Sequence, residues 1–120
     1  IAFSLAAAMG SFSTAAVAES DPGRVSYKPI DVINEVITRI TAAETAINNG
    51  AEGDAVVDSI KKAADFIKEL NANDKVARAA DKARSHLKAA ITSAKAANLQ
   101  ETKEHLAAGK QGVEGLKKLL

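Results

Sequence analysis

Ile33-Asn34-Glu35-Val36-Ile37-Thr38-Arg39-Ile40-Thr41-Ala42-Ala43-Glu44-Thr45-Ala46-Ile47 is the stretch that decides the fold. Ile33, Ile37, Ile40 and Ile47, with Ile30 just upstream, repeat at spacings of three, four or their sum. That period lines one face of an α-helix, while Glu35, Arg39 and Glu44 point elsewhere. The same apolar spacing returns at an offset of 50, where Ile33, Ile37, Ile40 and Ile47 fall on Ala83, Leu87, Ala90 and Ala97. At an offset of 49, Val57, Ala64, Ile67 and Leu70 fall on Leu106, Val113, Leu116 and Leu119. The change of offset lies between the two blocks, where a loop absorbs it. Each copy reads as a helix, a short turn and a second helix. Two copies predict an all-α fold: an antiparallel up-down-up-down four-helix bundle made of two helical hairpin repeats.

The punctuation between the apolar stripes agrees with this division. Pro29 suits the first turn of helix one, and Asn48-Asn49-Gly50 is a C-cap signal. Asp54 is the expected start of helix two, its carboxylate capping a free backbone N–H, with Val57, Ile60, Ala64, Ile67 and Leu70 inside. Asn71-Ala72-Asn73-Asp74 offers the N-cap of helix three, which turns Val76, Ala80, Ala83, Leu87, Ile91 and Ala94 inward; the alanines imply close helix approach. Asn98-Leu99-Gln100-Glu101 has the form of a capping box, after which helix four runs through Leu106, Val113, Leu116 and Leu119 to the C-terminus. Gly109, Gly112 and Gly115 recur every third residue of that helix, each costing up to about 1 kcal/mol relative to alanine. They read either as a smooth face for a partner or ligand, or as close packing against a neighbour or a frayed end.

Residues 1–18 read as a signal peptide whose basic n-region is missing: an uncharged apolar run leading to Ala16-Val17-Ala18, the small-x-small pattern before a cleavage at Glu19. The run is shorter than the roughly 20 residues of a membrane-spanning helix. Residues 19–28, with Pro22-Gly23 and no period, form a flexible leader, and residues 29–120 form the bundle. The expected location is periplasmic or secreted, with no membrane association after cleavage; a retained apolar leader would instead serve as an anchor or assembling helix.

Composition narrows the chemistry. With no cysteine, thiolate metal sites, iron–sulfur clusters and covalent haem attachment are excluded. Lys and Arg total 16 against 15 for Asp and Glu, which gives no basic footprint for a nucleic acid. Tyr27 and Phe66 are the only aromatics after residue 18, so base-stacking platforms are missing too. No methionine follows residue 18, which removes Met/His haem ligation, and no serine or acidic residue has a recognisable catalytic partner. An enzyme is not expected.

His86 and His105 are the two histidines. If helices three and four turn back near Asn98, the two lie roughly 8 Å apart along the axis, too far for ligation of one metal or haem by both. His105 has Glu101 one turn before it and Glu104 beside it, an imidazole and carboxylates within reach of one another. Di-iron bundles need Glu-x-x-His pairs, but Ala83 and Thr102 stand three residues before His86 and His105.

Ala46-Ile47-Asn48-Asn49-Gly50-Ala51-Glu52-Gly53, Ser85-His86-Leu87-Lys88-Ala89-Ala90-Ile91 and Lys103-Glu104-His105-Leu106 resemble the hairpin text of the small metal-binding protein family of the bacterial periplasm. Members of that family are four-helix bundles with signal peptides that bind divalent metals through many histidines. The resemblance implies a histidine-depleted member in which His105, His86 and Glu104 are the matching ligands; Asp58-Ser59, Asp65 and Lys68 stand where the family pattern leads one to look for more histidine. Two functions follow. One is weak binding of Cu(II), Ni(II) or Zn(II) by His105, Glu101, Glu104 and His86. The other is a metal-free structural or interaction module that binds a protein partner or assembles with itself as a homo-oligomer, a reading that the alanine- and glycine-lined stripes and the near-zero net charge allow.

Overall fold

The computed structural model describes residues 27–120. The signal-like segment 1–18 and residues 19–26 of the leader lie outside the described residues. Pro29 opens α1 (Pro29–Asn48), its fixed φ preorganised for a helical first turn, with Asp31 at the positive end of the helix dipole. α2 (Asp54–Phe66) ends in a 3₁₀ turn over Ile67–Glu69. α3 spans Asp74–Lys95, and α4 (Leu99–Gly115) ends in a second 3₁₀ turn over Leu116–Leu119. Among the described residues there is no strand. Each helix packs on its neighbours in sequence and α4 closes the ring onto α1, which makes the four-helix, up-down-up-down arrangement that the periodicity predicts.

The interior is one aliphatic seam. Ile33, Ile40, Ile60, Leu87, Leu106 and Leu116 are its largest fully buried side chains, joined by Val32, Val36, Val56, Val76 and Val113. Burial of each branched side chain contributes about 1.5–3 kcal/mol, and no disulfide adds to this. Tyr27 and Phe66 stay at the edge, in an edge-to-face pair with centroids 5.1 Å apart. Arg39 lies over the Phe66 ring at 4.3 Å, donates to the Lys62 carbonyl at 3.1 Å and pairs with Glu35 at 2.7 Å, tying α1 to α2. Lys110 donates to Glu44 at 3.1 Å, tying α4 to α1.

The stripes hold, with corrections at their ends. Ile33, Ile40 and Ile47 are buried and Ile37 is half-buried, but Ile30 is 39% exposed because it sits in the first turn, beyond the packed length. Val32, Val36 and Val56 are buried beside the expected positions, since the α1 and α2 stripes are wider than one line of residues. Leu119 is 36% exposed in the terminal 3₁₀ turn, and the α4 helix stops at Gly115 rather than at the C-terminus. Leu70 and Ile91 are half-buried.

The repeat is real but its register differs from the expected one. Ala97, aligned with the buried Ile47 at the offset of 50, is exposed in the turn after α3. Burial instead aligns Ile33, Val36, Ile40, Ala43 and Ile47 with Ala80, Ala83, Leu87, Ala90 and Ala94, an offset of 47. The second helices keep the offset of 49, with Val57, Ile60, Ala64 and Ile67 matching Leu106, Gly109, Val113 and Leu116. A slip of three residues is nearly one helical turn, so the apolar pattern looks much the same before and after it.

The offset of 47 also superposes the turns. After α1, Gly50 has φ +94, its N–H donates to Ile47, and the Ala51 N–H donates to Ala46. After α3, Ala97 has φ +63, its N–H donates to Ala94, and the Asn98 N–H donates to Ser93. Both are Schellman closures, one using glycine and the other forcing alanine into the left-handed region. The N-caps differ from expectation in part. Gly53, not the Asp54 side chain, precedes α2, and no side chain caps that helix, so Asp54 acts only through its charge in the first turn. Asn73 caps α3 by accepting from the Val76 N–H, and Asn98 caps α4 by accepting from the Glu101 N–H. Because the Asn98 N–H is committed to Ser93, Glu101 cannot close the reciprocal half of a capping box and binds the Asn98 side-chain amide at 3.2 Å instead.

The glycines of α4 divide by position. A Cβ on Gly109 would lie 2.9 Å from Leu87 Cδ2, and one on Gly112 would lie 3.1 Å from the Ala83 Cβ, so these two let α4 approach α3 closely. Gly115 has open space around it. Gly115→Ala should therefore stabilise the protein by about 0.5–1 kcal/mol, whereas Gly112→Ala, pressing on a backbone-fixed methyl, should destabilise it by about 1 kcal/mol. Ala97→Gly should add about 1 kcal/mol by relieving the left-handed alanine, and Gly50→Ala should remove a similar amount. Urea unfolding midpoints measure all four, and a lower midpoint for Ala97→Gly would refute the turn assignment.

Candidate functional site

The α4 N-terminus holds three of the four candidate metal ligands, Glu101, Glu104 and His105. The Asn98 cap fixes where the helix starts, and the 3.6-residue turn then puts Glu101 and His105 on one edge. His105 Nε2 stands 3.6 Å from Glu101 Oε1. Glu101 is not free, however: Oε1 accepts from the Ser93 hydroxyl at 2.9 Å and Oε2 from the Asn98 amide at 3.2 Å. Ser93 is buried on α3, so this carboxylate joins the end of α3 to the start of α4 across the turn. Thr102, fully buried beside it, returns its hydroxyl to the Asn98 carbonyl at 2.8 Å.

Glu104 turns along its own helix and accepts from Gln100 Nε2 at 3.4 Å. His86 is half-buried on α3, and no ion pair or hydrogen bond joins it to the other three among the described residues. Ala83 faces Gly112 and Leu87 faces Gly109, so His86 is level with residue 109 or 110. That leaves it roughly 6–7 Å along the axis from His105. The structure thus brings His105 and Glu101 together and leaves His86 apart.

A protein site for Zn(II) draws on three or four ligands. Among the described residues no group of three or more His, Cys, Asp or Glu side chains converges in a way that could hold a metal ion. The donor set at hand is one imidazole and one carboxylate already bound to Ser93 and Asn98, which does not make up a full coordination sphere for Cu(II), Ni(II) or Zn(II).

Sequence reasoning did not find the roles of Ser93 and Arg39. The Ser93–Glu101 contact joins residues eight apart through a turn of unknown geometry, and the Arg39 contacts cross from α1 to α2; neither leaves a periodic signal. On the outer side of α3, Lys75, Arg78 and Lys82 border an open groove of about 570 Å³ that Leu119 also lines. Asp81 and Ser85 also line it, and the Ser85 hydroxyl returns to the Asp81 carbonyl. Among the described residues, no helix is long and apolar enough to cross a membrane.

In comparisons with known proteins, the chain matches no family model, no curated protein and no solved structure. The functional reading therefore rests on the residues themselves.

The geometry gives Glu101 a structural duty and His105 none. Glu101→Ala should lower stability by about 1 kcal/mol through the loss of two hydrogen bonds, one to a buried hydroxyl. His105→Ala should change it by less than about 0.5 kcal/mol, because the imidazole is partly exposed and its contact with Glu101 is long at 3.6 Å. Chemical denaturation of both variants checks this, and equal losses would place His105 in the folding network.

Proposed function

We propose that the chain is a non-catalytic helical module, exported to the periplasm or secreted, that works through its outer surface. The observation that carries this reading is the interior: among the described residues the buried leucine, isoleucine and valine side chains fill it, and the two buried polar side chains, Ser93 and Thr102, are engaged in closing the α3–α4 turn. Reactive groups are thereby left to the exterior, where helices present side chains in fixed array. Export is supported by the Ala16-Val17-Ala18 pattern after an apolar run. The absence of cysteine suits either redox environment.

A second reading, weak binding of Cu(II), Ni(II) or Zn(II), is favoured by the 3.6 Å approach of His105 to Glu101 and by the resemblance to the small metal-binding protein family. In that reading His105 and Glu101 supply two donors, Glu104 lies one position from His105 on the same helix, and His86 takes no part. Two protein donors leave most of the coordination sphere to water, which makes the affinity low and easily outcompeted.

Titration calorimetry with Cu(II) and with Zn(II), on the full chain and on the His86→Ala/His105→Ala variant, separates the two. The surface-module reading expects no saturable binding that depends on the histidines. Saturable binding lost in the variant would replace it with the metal reading.

A further inference from the structure

The solvent face of α1 differs in kind from those of the other three helices. Its exposed residues are Ile30, Asp31, Asn34, Thr38, Thr41, Ala42, Thr45 and Asn48, of which only Asp31 is charged. On α2, α3 and α4 together, 16 of the 24 exposed residues are charged. The charges that α1 does carry further along, Glu35, Arg39 and Glu44, are half-buried and paired to Arg39, Glu35 and Lys110. Thr and Asn are weaker helix formers than the Lys, Glu and Ala that usually fill an exposed helical face. Helix stability alone does not account for them, and neither does the core, because the stripe lies on the side of α1 away from Val32, Val36 and Ile40.

The symmetry of the stripe suggests its occupant. Asn34, Thr38, Thr41, Thr45 and Asn48 follow one another at alternating intervals of four and three, which sets them in one line along the exposed side of α1. The order Asn-Thr-Thr-Thr-Asn also reads the same in both directions. An antiparallel pair of α1 helices related by a two-fold axis at Thr41 sets Asn34 opposite Asn48 and Thr38 opposite Thr45, within one residue of register. Such self-complementarity is what an isologous contact requires. A neutral face meeting a neutral face leaves no charge to desolvate or repel, whereas the basic edge of α3 around Lys75, Arg78 and Lys82 would repel its own copy.

We infer that α1 is the self-association face of this protein, with two copies pairing antiparallel through Asn34, Thr38, Thr41, Thr45 and Asn48. The inference rests on the surface-module reading and names its partner as a second copy of the chain. The seam spans 15 residues, Asn34 to Asn48, a rise of about 21 Å. A single helix pair of that length is smaller than the roughly 1,200 Å² of a standard interface, so the association is weak and concentration-dependent.

The chain contains no cysteine, so single-cysteine variants of the full chain report position cleanly. Under mild oxidation at near-millimolar protein, Thr41→Cys, which meets itself on the axis, should form a covalent dimer about tenfold or more faster than the α3 variant Lys82→Cys. Thr38→Cys should cross-link quickly only when mixed with Thr45→Cys. Thr41→Lys, with an unchanged circular dichroism spectrum, should shift the sedimentation of the cysteine-free chain toward the monomer. Thr41→Cys cross-linking no faster than Lys82→Cys, or a chain that sediments as a monomer throughout the concentration range, would overturn the inference. Histidine-dependent metal binding would sink the surface-module reading without altering the cross-linking pattern, so the two failures are distinguishable.

Discussion

Four helices must share one seam of branched aliphatic side chains, and everything else in this structure is arranged around that requirement. Ile33, Ile40, Ile60, Leu87, Leu106 and Leu116 fill it with no aromatic ring at its centre and no disulfide behind it. A core of this kind has little spare volume, so its stability comes from continuous contact along the bundle. Small residues do as much for that contact as large ones. Gly109 and Gly112 stand where the first hairpin has Ile60 and Ala63, and they let α4 settle against Ala83 and Leu87. The two hairpins therefore build one core by different means: the first with bulk, the second with close approach.

The ends of the helices are held by polar contacts that serve the same seam. Both hairpin helices α1 and α3 stop in the same backbone closure, yet one uses Gly50 and the other strains Ala97. The turn that contains Ala97 is only three residues long, and Asn98, Glu101, Ser93 and Thr102 share its hydrogen bonds. Glu101 looks in sequence like a ligand waiting beside His105. In space it closes a joint, and a carboxylate occupied by a buried hydroxyl and a cap amide is a poor reserve for metal chemistry. Arg39 shows the same economy at the opposite pair of helices, linking Glu35, the Lys62 carbonyl and the face of Phe66.

With the interior given over to packing, differences among the outer faces acquire meaning. Charged residues dominate the outside of α2 and α3, while α1 presents hydroxyls and amides. Neutral polar side chains favour a helix less than Lys or Glu does, and they cost less to desolvate than charged ones. In the surface-module proposal, specificity comes from the pattern of the outer faces and the core serves as their support.

For the described residues, the sequence by itself determined the helical type, the order of the helices and most of the buried residues, because the 3.6-residue period of isoleucine, valine, leucine and alanine is a local property that survives without tertiary information; Val32, Val36, Ala43, Val56 and Ala63 are buried beside the stripes it marked. It also marked Asn71-Ala72-Asn73-Asp74, within which the structure selects Asn73, and Asn98 as capping text, because short polar side chains can accept from a free backbone N–H. Register was beyond it: an offset of 50 and one of 47 differ by almost a full turn, and only the seating of Ala83 and Leu87 on the α4 glycines, with the matched turns at Gly50 and Ala97, selects between them. Tertiary structure alone also decided which neighbours Glu101 and Arg39 serve and that His86 stands apart from His105. Those contacts join segments whose separation is set by how the helices pack, and no spacing along one helix encodes a distance across two.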